Sequence, residues 1–120
     1  MLVFVPTRED VLAIRSIEEA FDLTTTKVRR REVALARTAC AERLIRFTEH
    51  ALDAMADERI AKEAVRGGIL YGSARSKDLD ERQGRAIGLN FDDVRPLAPR
   101  PLRVKVSWEF RYFIPTVHTL

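Results

Sequence analysis

Few residues of this 120-residue chain have the types and spacing to do chemistry. His50, Asp53 and Asp57 fall on one helical face at i, i+3 and i+7, where an imidazole and two carboxylates can hold a metal ion. A solvated polar face explains the same spacing, and that is the reading adopted. His118 stands near the end of the sequence and reads as exposed. Two histidines and one cysteine, far apart, offer neither a zinc-ligand spacing nor a Cys/His nucleophile pair with its flanks. Gly67-Gly-Ile-Leu-Tyr-Gly72-Ser73 places glycines as a phosphate loop does, but serine stands where that loop needs lysine, and a helical pattern precedes it where a strand is required. No spacing singles out a carboxylate pair. The expectation is a protein that is not an enzyme and carries no metal and no cofactor.

The cations are the next candidates. Arg29, Arg30, Arg31, Arg103 and Arg111 could contact a partner, and a basic strand next to aromatic residues suggests single-stranded nucleic acid. Stacking, however, needs rings and cations on the same face. Alternation sets Trp108, Phe110 and Tyr112 opposite Arg103, Lys105 and Arg111. A net charge of +3 is mild for a dedicated nucleic-acid binder. Nucleic acid is therefore a disfavoured partner, and a small DNA-binding regulator stands as an alternative function.

The elements that must position these residues read as helical first. Thr7 caps a helix expected from about Arg8 to Asp22, with acidic residues in its first turn. Thr24-Thr25-Thr26 supplies another cap, and residues 27–66 contain neither proline nor glycine. Unbroken, that stretch would be roughly 60 Å long at 1.5 Å per residue, against a diameter of roughly 35 Å for a compact chain of this size. A break near 53–57, with Asp57 capping a helix that starts at Glu58, resolves the conflict better than a projecting helix. Gly67-Gly68 reads as a C-cap in preference to a place where another element comes close. Residues 76–88 read as a further short helix ended by Gly88. Cys40, among alanines, reads as a small buried thiol in a reducing cytoplasm. No apolar run is long enough to span a membrane and no signal peptide is recognised, so no membrane partner is expected.

Residues 102–114 alternate apolar and polar, with Phe113 alone breaking the rule. They read as one strand of roughly 43 Å at about 3.3 Å per residue, with Leu102, Val104, Val106, Trp108, Phe110, Tyr112 and Ile114 on one face. No other run matches its length, so its backbone groups need another chain. The fold expected is mainly α: a small helical bundle forming a body over 1–95, a Pro-rich connector over 96–101, and a C-terminal strand arm over 102–120 that pairs between chains. The function expected is a non-enzymatic assembly subunit that forms a homo-oligomer, with a ring as one form. Those seven apolar residues are its expected interface.

Cys40-Ala-Glu-Arg-Leu-Ile-Arg-Phe-Thr-Glu-His-Ala-Leu52, together with Thr7–Val11, Ile60, Ala64-Val65, Leu70-Tyr71 and Arg75, resembles the head-tail connector (portal adaptor) proteins of tailed phages over about residues 7–75. Arg75 stands one place later than in that pattern. The resemblance implies a mainly helical virion subunit in a ring beneath a portal, with portal or tail proteins as partners, cytoplasmic while it assembles. A second resemblance, over residues 64–115, is to the distal part of the minor pilins of tight-adherence secretion systems. Those proteins have an N-terminal membrane helix that this sequence lacks, so a pilin-like assembly component ranks behind the connector.

Overall fold

Helices come first in the chain and strands follow. The computed structural model describes residues 4–80, 85–94, 100–109 and 112–120, with the backbone alone at 80 and 85–87. Helices α1 (Arg8–Leu12), α2 (Ile17–Ala20), α3 (Arg30–Ala41), α4 (Glu49–Asp57) and α5 (Lys62–Tyr71) precede strands β1 (Ser73–Asp80), β2 (Arg85–Asp93), β3 (Leu102–Glu109) and β4 (Tyr112–Thr119). The strands form one antiparallel meander in the order β1-β2-β3-β4. The architecture is α+β, helices packed on one face of a sheet, and this corrects the mainly α expectation.

The long strand is the main correction. Its first part is β3, an inner strand hydrogen-bonded to β2 on one side and β4 on the other. The missing partner is the chain's own terminal segment folded back. Glu109 pairs with Tyr112, and Phe110 and Arg111 between them lie outside the described residues. Across such a reversal the inward parity changes. Leu102, Val104 and Val106 are buried before it and Phe113 after it, while Tyr112 points outward and is 43% exposed.

The helix expected over 76–88 is likewise replaced by β1 and β2. Register shifts between Ala74 and Ser76 and between Asp78 and Leu79 interrupt the period of two in β1, and a charged residue, Lys77, occupies an inward position. Both features hide a strand from a pattern search. Gly84 and most of the proline-rich connector (95–99) fall outside the described residues.

Thr7 does cap α1, in a capping box with Asp10, but α1 stops at Leu12 and α2 follows separately. The 27–66 stretch breaks twice. At each break an arginine adopts a left-handed conformation, Arg43 at φ 58° and Arg59 at φ 57°. Leu44 N–H then reaches back to Ala39 O at 2.7 Å, and Ile60 N–H to Met55 O at 2.8 Å. Both are Schellman-type ends, each followed by a buried apolar residue, Leu44 or Ile60. Glu58 is the C-cap of α4, not the start of a new helix, and α5 begins at Lys62. Glycine usually marks such an end because a Cβ there costs about 1–2 kcal/mol. Arg59→Gly is accordingly expected to stabilise the fold by about 0.5–1 kcal/mol after glycine's own chain entropy. Thermal unfolding followed by circular dichroism should show a midpoint roughly 2–5 °C higher. A lower midpoint would mean that the Arg59 side chain contributes more than its backbone strain costs.

Gly67 and Gly68 are buried inside α5 and do not cap it. A Cβ on Gly68 would stand 2.8 Å from Val104 Cγ2, so the glycine lets the helix lie close on β3. Gly72 ends α5, and a Cβ there would stand 2.3 Å from Gly68 O, which leaves only glycine to turn the chain directly from α5 into β1. Helices α3 and α5 and the residues around α2 close the core over Phe91, Leu89, Val104, Val106 and Phe113. The radius of gyration is 13.6 Å.

Candidate functional site

The seven apolar residues expected at an interface divide. Leu102, Val104 and Val106 are buried against the chain's own helices, so the apolar surface they need is supplied within the chain. Trp108 is half-buried against the same core. Phe110 lies outside the described residues, Tyr112 is exposed, and Ile114 is buried on the opposite face of the sheet. The structure does not gather them into one surface.

The basic residues do not gather either. Arg29 pairs with Asp22 at 3.7 Å. Arg31 donates to Glu19 O at 2.7 Å and lies over the Phe4 ring. Arg30 is engaged too. Arg111 lies outside the described residues. Arg103, on the helix-free face, holds Asp92 through two bonds of 2.7 and 3.0 Å, and beside it Lys105 pairs with Asp78 at 2.6 Å. The hydrogen bond from Arg103 holds the Asp92 carboxyl below its ordinary range, and that from Lys105, with Asn90 behind it, does the same for Asp78. These pairs contribute stability above the ordinary carboxylate pKa and lose it as the pH falls through the depressed values. The strand's cations are thus turned to aspartates of β2 and β1 in the same sheet, which weakens the case for a phosphate-binding face.

His50, Asp53 and Asp57 stand exposed on α4, the polar face expected of them. Among the described residues no group of three potential ligands is placed to hold a metal ion, and no helix is long and apolar enough to cross a membrane. Cys40 is buried, and burial pushes its thiol pKa up to about 11, well away from reactivity.

What sequence reasoning missed is the outer edge of β4. Leu120 N–H donates to Pro101 O at 3.0 Å, and Arg46 N–H donates to Phe113 O at 2.8 Å. An antiparallel ladder alternates, so the even-numbered residues of β4 bond to β3 and the odd-numbered ones aim their backbone groups outward. Among the described residues, Ile45 bridges Phe113 on this edge and helix α4 packs beside β4 further along. Pro115 lacks the N–H it would aim outward, which suits an edge position. Beyond it, Thr116-Val117-His118-Thr119 carries no lysine, arginine or carboxylate. The other edge strand, β1, is blunted by two irregularities and by Arg75, Lys77 and Asp78. A groove between α4 and the end of β4 is lined by Ala54, Asp57, Glu58 and Ile60 and by Val117 to Thr119. The signal was present as Pro115 followed by uncharged β-formers, but only a sheet with a defined end makes it an edge.

Compared with protein-family profiles, with curated proteins and with solved structures, the chain matches none.

Proposed function

We propose that this chain is a non-enzymatic assembly subunit that joins other protein chains by strand addition along β4, its partners being copies of itself or other assembly proteins. The observation that carries this reading is the outward backbone of Pro115, Val117 and Thr119, uncharged and without a hydrogen-bonded neighbour strand among the described residues. Strand addition supplies main-chain hydrogen bonds for affinity and alternate side chains for selectivity. Strand backbone groups that lack a neighbouring strand are what folds ordinarily pair or cover. The setting proposed is the one that the resemblance of residues 7–75 implies, a connector-type component of a phage virion, with portal or tail proteins as the further partners.

Val117→Pro tests the assembly reading. It removes the outward N–H at the middle of the edge and leaves the bonds to β3 in place, so the fold should survive. Light scattering on the unaltered chain should give a mass above the 13.7 kDa of one copy, and the variant should fall to that mass with its circular dichroism spectrum unchanged. A folded variant that still assembles would move the contact off β4. Closed rings in negative stain would support the connector setting.

A further inference from the structure

Asn90 stands on the helix-free face of the sheet, between the inward-facing Leu89 and Phe91, and yet it is only 2% exposed. Its Nδ2 donates to Ser76 Oγ at 2.8 Å and to Asp78 Oδ2 at 3.3 Å, both on β1. A carboxylate only accepts, which fixes the arm of the amide that is nitrogen. The oxygen on the other arm is therefore turned away from β1, and among the described residues nothing donates to it. Two cations flank it, and each is committed to an aspartate. Lys105 crosses β2 over Gly88, where a Cβ would stand 2.8 Å from its Cγ, to reach Asp78, while Arg103 holds Asp92, two residues beyond Asn90.

On the side to which the Asn90 oxygen turns lies a pocket of about 220 Å³, formed by Asp78 and Asn90 with Arg103, Lys105, His118 and Leu120. Pockets for drug-sized ligands measure about 300–1,000 Å³, so this one suits a single small ring. Charge decides what can enter. An anion would have to displace Asp78 or Asp92 from its cation, and a cation would meet Arg103 and Lys105. A neutral hydroxyl breaks neither pair: it gives its hydrogen to Asn90 Oδ1 and accepts from the Lys105 ammonium or from a remaining N–H of Arg103. Leu120, 54% exposed, adds an apolar wall for the C–H face of a ring. A sugar carries neighbouring hydroxyls and such a face together. We propose that this pocket binds a neutral monosaccharide unit, with Asn90 Oδ1 as its acceptor, Arg103 and Lys105 as its donors, and His118 and Leu120 at its rim. The site goes beyond the assembly reading and does not rest on it.

Saturation-transfer NMR on the unaltered chain with D-glucose, D-galactose and D-mannose should show saturable binding of at least one of them. Asn90→Ala should weaken that binding about tenfold or more, because the buried acceptor is lost. Circular dichroism checks that the variant is folded. If it is not, Leu120→Asp carries the test, since the residue is exposed and a carboxylate there would be desolvated by the ring, weakening binding by about the same factor. Unchanged affinity in a folded variant overturns the proposal. So does binding of none of the sugars, which would leave Asn90 Oδ1 to a buried water. Saturable binding of urea in place of the sugars would mark a carboxamide site and overturn the saccharide class.

Discussion

Glu32→Ala is expected to destabilise the protein by about 3–5 kcal/mol, enough to unfold a large share of a domain whose total stability is about 5–15 kcal/mol. Glu32 lies in the first turn of α3, and its carboxylate is 3% exposed beside a Lys77 ammonium that is fully buried, 2.7 Å away. The same carboxylate accepts from Asp22 N–H at 2.8 Å and from Arg29 N–H at 2.7 Å, while Lys77 donates a further bond to Asp22 O at 3.0 Å. The pair clamps the 22–29 loop, the start of α3 and strand β1 together. Removing the carboxylate leaves a buried cation with one carbonyl for company and orphans two backbone donors. Lys77→Met should cost less, about 2 kcal/mol, because Glu32 keeps both N–H donors. Urea titrations followed by circular dichroism will rank the two variants. A loss under about 1 kcal/mol for Glu32→Ala would show that water reaches the site and that the clamp does not hold the loop.

The second large effect separates neighbouring residues of opposite parity. Phe113→Ala should cost about 3–5 kcal/mol and Tyr112→Ala no more than about 1 kcal/mol. Phe113 is fully buried and meets Phe21 edge-on with ring centres 6.2 Å apart, tying β4 to the end of α2. Its removal leaves a cavity under a strand that β3 bonds on one side and Arg46 N–H holds at Phe113 O on the other, so it collapses only in part. Tyr112 lies on the helix-free face with Arg46 over its ring at 5.8 Å, a contact that is open to solvent. Denaturant midpoints of both variants decide the matter. A Tyr112→Ala loss exceeding that of Phe113→Ala would mean that one strand runs unbroken from Leu102 to Ile114 and that the hairpin does not exist.

Parts of this molecule are legible residue by residue. Thr7 and Asp10 make the capping box that opens α1, because a cap is a contact between residues three apart and needs nothing from the rest of the chain. Cys40 is buried on the inward face of α3. Leu102, Val104 and Val106 alternate as an inward-facing strand, and they are one. The two arginine-ended helices were harder to see. Their one sequence trace is the buried leucine or isoleucine that follows, since the left-handed residue itself is not the expected glycine.

The sequence by itself thus determined which short segments prefer helix caps, helical faces and alternation, all set by neighbours within a turn or two. Tertiary structure alone decided where the chain reverses and what each face meets. Residues paired across the β3–β4 hairpin have opposite parity, so the positions that face the core are even before the turn and odd after it. Alternation alone cannot show that switch when polar and apolar residues keep alternating through the turn, and Phe113 was its one visible mark. Lys77 could occupy an inward position of β1 only because Glu32, distant in sequence, neutralises it there. The edge of β4 likewise became an edge only when the sheet ended at it.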